Sequence, residues 1–217
     1  MNTVNKVVCF DAFGTLLNMT HRTHPERVFR DFLRDEGADA TSVPLDLMAL
    51  NKSWGEIFQD KGVDPPPALW ADWQERQKEE MASVTFYPET WDVLNWVASN
   101  GWGIAIISNL GTPYDAFLRA IEHTLKAQHP KTPVELALSF EVGAVKPNPV
   151  IFQAVAQKFP HLSAHDFYMT GDKHPEDCAG PQQLGWNAVH LKRPDMTLWD
   201  SLQSLNLIPK RSVHVHL

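Results

Sequence analysis

Val7-Val8-Cys9-Phe10-Asp11-Ala12-Phe13-Gly14-Thr15 is the stretch from which the fold is read. Four apolar residues closed by an acid and then broken by glycine read as a buried strand leaving the core through a tight loop. Residues 103–108, Gly-Ile-Ala-Ile-Ile-Ser, repeat the pattern, with Asn109 and Gly111 behind them. Leu136 to Phe140, Phe167 to Thr170 and Trp186 to Leu191 are three further apolar runs. Continuous runs, rather than alternating ones, suit strands of a parallel sheet covered on both faces.

Helical patterns separate these runs. Pro88 to Asn100 places Trp91, Leu94 and Val97 on one stripe and stops at Gly101. Thr112-Pro113 predicts a helix start as N-cap and N1, with Tyr114, Phe117, Leu118, Ile121 and Leu125 on the buried face. Asn148-Pro149 predicts another, with Ile151, Phe152, Val155 and Phe159 as its stripe. The alternation from residue 88 onward implies right-handed crossovers and an α/β, doubly wound sheet.

Residues 18–85 read differently: no strand, and three helical patterns. Val28, Phe29, Phe32 and Leu33 mark the first; Leu47, Leu50, Trp54, Ile57 and Phe58 the second; Leu69, Trp70 and Trp73, after Pro65-Pro66-Pro67, the third. The expected organisation is an α/β core from 1–17 and 86–217, with 18–85 inserted as a helical cap over the edge where open α/β sheets place ligands. The tail carries one short apolar pattern at Leu198, Trp199, Leu202 and Leu205.

Composition narrows the classes. In 217 residues, 43% are hydrophobic and 21% charged, values of a globular domain rather than a disordered or fibrous chain. Lys and Arg number 19 against 26 Asp and Glu, a net charge of −7, which argues against nucleic acid as a partner. No apolar stretch approaches the roughly 20 residues of a membrane helix, and the N-terminus lacks a secretory layout. Cys9 and Cys178 make neither a disulfide framework nor a CxxC pair. The expectation is a cytoplasmic protein with a small-molecule substrate, without nucleic acid or membrane partners. Its oligomeric state is not legible.

Four strand ends carry chemistry-bearing residues: Asp11; Ser108-Asn109; Lys146 before Pro147; and Asp172 with Asp177. A carboxylate ending a buried strand needs a cation or donors beside it. Asp11 has a nucleophile's placement, with loop N–H groups near for an anion. In this order the four segments resemble the haloacid dehalogenase-like hydrolases, in the subgroup with a helical cap after the first strand and a Rossmann-like core. The segments are Asp11-Ala-Phe-Gly-Thr-Leu-Leu, Ile106-Ile107-Ser108-Asn109, the run from Ser139 through Lys146-Pro147 to Phe152, and Gly171-Asp172-Lys-His-Pro-Glu-Asp177-Cys-Ala-Gly180.

The resemblance implies that Asp11 attacks the substrate to form an aspartyl intermediate. Ser108 and Asn109 would donate hydrogen bonds to the transferring group, and Lys146 would neutralise its charge. Mg2+ would be the cofactor, held by Asp11, the Phe13 carbonyl and Asp172, an oxygen set of the kind that ion prefers, with Asp177 either a further ligand or a partner standing behind the metal or Lys146. Family phosphatases place a general acid two residues after the nucleophile; here that position is Phe13, and dehalogenases also carry an aromatic there. Asp172 and Asp177 keep the phosphatase metal spacing instead. The leading expectation is a Mg2+-dependent phosphatase, with a leaving group that needs little protonation, such as an acyl phosphate. The alternatives are a metal-independent 2-haloacid dehalogenase, with Arg22, Arg27, Arg30 or Arg34 as carboxylate holder, and a phospho-ligand-binding protein without turnover. His174 is a candidate for the missing proton donor. His21 and His24 are candidates to face the site, Trp54, Trp70 and Trp73 to fill a cap core, and His214 with His216 to form a terminal metal pair. Cys9 is expected to be a buried, inert thiol.

Overall fold

The structure is a computed structural model describing residues 4–209; His214 and His216 lie outside the described residues. In chain order the elements begin with β1 (Val7–Phe10), β2 (Leu17–Met19), α1 (Pro25–Asp35), α2 (Val43–Met48) and α3 (Trp54–Lys61). Next come α4 (Pro67–Ala82), β3 (Val84–Phe86), α5 (Thr90–Ser99), β4 (Gly103–Ser108) and α6 (Asp115–Gln128). The chain continues through β5 (Val134–Leu138), α7 (Ser139–Val142), α8 (Pro149–Ala156) and β6 (Phe167–Gly171). A π-helical turn (His174–Ala179), α9 (Gly180–Gln183), β7 (Asn187–His190) and α10 (Leu198–Ser204) complete it.

Five strands form one parallel sheet in the order β5-β4-β1-β6-β7. β1 is central, and its alternate side chains enter two different cores. Val8 and Phe10 pack with α5, α6 and α10, whereas Val7 and Cys9 pack with α8. β4 divides in the same way, Ile104 and Ile106 to one face and Ala105 and Ile107 to the other. That two-sided burial is why these strands read as unbroken apolar runs. Each fully buried large side chain, such as Phe10 or Phe152, contributes about 1.5–3 kcal/mol. Cys9 lies in this interior, and burial pushes its thiol up, away from the reactive thiolate.

Helix starts follow local chemistry where nothing competes. The Asn148 side chain accepts from Val150 N at 3.0 Å and caps α8, as its sequence predicts. Thr112-Pro113 does not cap α6, which begins at Asp115. Residues 111–114 form a turn instead, held by tertiary contacts: Tyr114 packs edge-on against Phe13, and its hydroxyl donates to Glu80 at 3.1 Å. The expected strand Leu136 to Phe140 ends at Leu138, and Ser139 starts α7.

Residues 18–85 depart from expectation in two ways. They contribute strand after all: β2 and β3 pair antiparallel as Leu17↔Phe86, Asn18↔Thr85 and Met19↔Val84. Three-residue strands are too short for a readable period. The second helical pattern is two helices, because Asn51 takes a left-handed φ of 53° and a Ser53–Glu56 capping box starts α3 afresh. Leu50, counted in that stripe, is exposed. The block has its own aromatic core around Phe29, whose ring centroid lies 4.9 Å from Trp54, 4.9 Å from Phe58 and 4.7 Å from Trp70. No helix among the described residues is long and apolar enough to cross a membrane.

Candidate active site

The C-terminal ends of β1, β4 and β6 converge beneath the helical block, and the candidate residues meet there. Asp11 follows β1, Ser108 ends β4, and Asp172 follows β6. Lys146 comes from the loop between α7 and α8, and Asp177 from the π-helical turn. The Lys146 ammonium is 2.6 Å from Asp11 Oδ1 and 2.6 Å from Asp177 Oδ1. The Thr15 hydroxyl donates to Asp11 Oδ2 at 3.2 Å, and Lys173 N donates to Asp177 Oδ2 at 2.9 Å. Lys146 and Asp177 are 3% and 0% exposed, so an unpaired charge there would be strongly unfavourable.

Charge at the site does not balance. Asp11, Asp172 and Asp177 bring one oxygen each to within 4.8 Å of one another, and the buried ammonium among them is Lys146. Asp172 Oδ1 is buried and lacks a hydrogen-bond partner among the described residues. Burial, then the Asp11 charge, raises the Asp172 carboxyl above its usual range. Burial, opposed by Lys146 but reinforced by Asp11, raises Asp177 to about 6. Burial works against the Lys146 charge, yet the two carboxylates outweigh it and hold that ammonium above its ordinary value. A cluster of hard oxygens with excess negative charge and one orphaned oxygen fits a divalent cation such as magnesium. Backbone geometry makes room for it: Gly14 has φ +93°, and a Cβ there would lie 2.6 Å from Asp172 Cγ. At Gly171 a Cβ would meet the Asp177 Cβ at 2.6 Å.

Above the acids opens a cavity of about 750 Å³. Ser108 and Asn109 border it, but differently. No hydrogen bond engages the Ser108 hydroxyl among the described residues, so it remains a donor for a ligand. The Asn109 side chain is committed: Oδ1 accepts from Lys146 N at 2.7 Å, and Nδ2 donates to Lys146 O and to Glu176 Oε2, both at 3.1 Å. Phe13 lies at the cavity edge against Tyr114 and Phe117, with centroids 6.1 and 6.3 Å away. Its side chain can neither donate nor accept a proton.

The far wall comes from the helical block. Trp54, Trp70 and Trp73 serve both its core and the cavity. Of the four arginines, Arg22 and Arg30 reach the cavity, and Arg30 Nε is buried without a partner among the described residues. Arg34 pairs instead with Asp31 at 2.5 Å. His21 and His24 do not line the cavity; His24 lies 3.3 Å from Glu26. His174 does not line the cavity either; its ring centroid lies 5.6 Å from that of His190. Sequence reasoning missed Glu176 and the buried Glu80. Glu80 accepts from the main-chain N–H of Thr23 and of His24, each at 2.9 Å, and from the Tyr114 hydroxyl. Glu176 also lies 3.8 Å from the Lys173 ammonium, but the contacts that bring the two acids to the site, with Asn109 and with Tyr114, span more than 30 positions, so no local pattern marks them.

A family model described as haloacid dehalogenase-like hydrolase matches residues 5–185. No curated protein matches the sequence. Among solved structures, a HAD phosphatase from Thermococcus onnurineus is 22% identical, with a TM-score of 0.56 over 92% of this chain and 97% of that one. The putative HAD-hydrolase YfnB from Bacillus subtilis, bound to magnesium, is 18% identical, with a TM-score of 0.57 over 94% and 100%. A 2-haloacid dehalogenase from Pseudomonas syringae pv. Tomato DC3000 is 19% identical, with a TM-score of 0.51 over 87% and 86%. At these identities the likeness concerns the fold and carries no substrate across.

Proposed function

The chain belongs to the haloacid dehalogenase-like hydrolases, and on that premise we propose that it is a Mg2+-dependent phosphatase acting on a small phosphorylated metabolite. The observation that carries the reading is the buried, unpartnered oxygen of Asp172 beside Asp11 and Asp177. A metal-independent reaction has no use for that excess of negative charge. In this reading residues 18–85 act as a cap whose tryptophans contact the body of the substrate. The cavity of about 750 Å³ falls in the range that holds drug-sized ligands, much more than a two- or three-carbon haloacid fills.

The Asp11 carboxylate attacks phosphorus, the bond to the substrate's bridging oxygen breaks, and an aspartyl phosphate forms. Attack by water then breaks the new acyl–phosphate linkage, releasing inorganic phosphate and restoring Asp11. The Ser108 hydroxyl donates to a phosphoryl oxygen. Lys146 pairs with Asp11 at 2.6 Å and offsets charge as it builds on the transferring group. Asp11, Asp172, Asp177 and the Phe13 carbonyl would hold Mg2+, which when bound supplies positive charge to the phosphoryl oxygens. Phe13 stands where an acid would protonate the leaving oxygen, so leaving groups stable as anions, as from acyl phosphates, are favoured.

The test is phosphate release from acetyl phosphate and from simple alkyl phosphates, with Mg2+ and with chelator, against Asp11→Asn as the blank. Metal-dependent release that is lost in the variant supports the reading, and faster turnover of the acyl substrate supports the role of Phe13. The second reading, a metal-independent 2-haloacid dehalogenase, is favoured by Phe13 together with the unpartnered Arg30 Nε on the cavity wall, a donor for a substrate carboxylate. Halide release from 2-chloropropionate in the presence of chelator would establish it and overturn the first.

A further inference from the structure

Asn109 follows Ser108 directly, yet its side chain does not point a free donor into the cavity. An amide nitrogen has two protons, and both are engaged, one by Lys146 O and one by Glu176 Oε2. The amide oxygen accepts from Lys146 N at 2.7 Å. Asn109 thus grips the N–H and C=O of the same residue, fixing the Lys146 main chain in position and in rotation about the strand end. The Lys146 main chain and Glu176 agree on which way round the amide sits. With the oxygen and nitrogen exchanged, an oxygen would face both the Lys146 carbonyl and the Glu176 carboxylate, and an N–H would face an N–H. Glu176 is itself placed by the π-helical turn, where its N–H donates to Lys173 O at 3.1 Å. Pro147 packs closely on Gly180, where an added Cβ would come within 2.8 Å of the Pro147 Cβ.

We propose that Asn109 and Glu176 form a clamp that sets Lys146 against Asp11, with Glu176 as a positioning residue acting through Asn109. The proposal rests on the phosphotransfer reading above. It gives Asn109 the task of aiming the lysine, while the Ser108 hydroxyl contacts the transferring group. Lys146 has little tolerance, because its ammonium must stay within 2.6 Å of two carboxylates on different elements. A misplacement of about 1 Å in such a constellation can cost on the order of 10²-fold in rate.

The experiment is a hydrogen-bond swap: Asn109→Asp, Glu176→Gln and the double variant, read by steady-state phosphate release from acetyl phosphate with Mg2+ and by thermal melting. Asn109→Asp keeps shape and the acceptor for Lys146 N, but sets a second oxygen against Lys146 O and Glu176. It is expected to lower kcat by about 10–10²-fold with KM changed less than about threefold. Glu176→Gln keeps an acceptor for the amide but loses the charge-assisted bond, and should lower kcat by less than Asn109→Asp does, with KM unchanged. In the double variant the amide introduced at position 176 can donate to the carboxylate introduced at position 109, and kcat should recover part of the loss seen in Asn109→Asp, the contact with Lys146 O staying repulsive. A KM that rises in Asn109→Asp and is not restored by Glu176→Gln would show direct contact with substrate and overturn the clamp. Purely additive effects would overturn it too. Should the parent release no phosphate, the functional reading fails. The clamp is then decided by melting alone: a drop in Asn109→Asp that Glu176→Gln reverses supports it, and additive drops refute it.

Discussion

Replacing Gly14 by alanine should abolish metal binding while leaving the rest of the fold in place. Gly14 sits at φ +93°, where a side chain costs about 1–3 kcal/mol of backbone strain. The new Cβ would lie 2.6 Å from Asp172 Cγ and 3.0 Å from its Oδ1, inside any tolerable contact. Asp172 would have to turn out of the acidic cluster, taking its orphaned oxygen with it. At a metal concentration 100 times the dissociation constant, binding stabilises a protein by about 2.7 kcal/mol. For a chain of this size that corresponds to a melting temperature raised by about 5–10 °C. The parent should show that rise on adding Mg2+, and Gly14→Ala should show almost none and release no phosphate. Gly37→Ala is the matched control: φ is +73° there, but nothing lies within 4 Å of the added Cβ. It should lower the metal-free melting temperature through strain and keep the full Mg2+ shift. A normal Mg2+ shift in Gly14→Ala would refute the assignment of Asp172 as a ligand.

Lys146→Met leaves three clustered carboxylates without their ammonium. A loss of about 3–5 kcal/mol is expected, or roughly 6–20 °C in melting, and a change of only a degree or two would contradict the charge argument. Phe13→Asp should raise turnover of alkyl phosphates relative to acetyl phosphate by about 10–10²-fold; an unchanged ratio would remove the leaving-group explanation. For pH, the Asp177 carboxyl is raised from 3.8 to about 6 in the fold. The metal-free folded state therefore holds the extra proton, and stability falls as pH rises through the window from about 4 to 6, by up to about 3 kcal/mol. Mg2+ affinity should rise over the same window, because the ion competes with that proton. Melts of the metal-free protein against pH, with Asp177→Asn flattening the slope, check the sign.

The core was legible because burial on both faces leaves the same mark at every strand. β1 and β4 read as unbroken apolar runs, and their alternate residues do enter opposite cores. Asn148 was legible as a cap because its hydrogen bond spans only two residues. Failures began where distant contacts overrode local signals. Thr112-Pro113 had good capping chemistry, but Phe13 and Glu80 draw Tyr114 into a turn against the cavity. The capping box at Ser53 was present in the sequence, yet an apolar stripe from Leu47 to Phe58 ran across it, and the stripe was the weaker signal. β2 and β3 exist as a pair only because the chain returns beside its own departure point more than 60 residues later.

At the site, the residues that bear charge could be read, but those that aim them could not. Asp177 and Glu176 are adjacent carboxylates on one turn, and nothing in the sequence separates their tasks. The π-helical turn does so by direction: Asp177 points inward to the Lys146 ammonium at 2.6 Å, and Glu176 points sideways to the Asn109 amide at 3.1 Å. Neighbouring residues thus control the two ends of one lysine, its side chain directly and its main chain through Asn109. A change in the pitch of that turn would move both controls together. For that reason the turn, more than either carboxylate alone, decides where Lys146 meets Asp11.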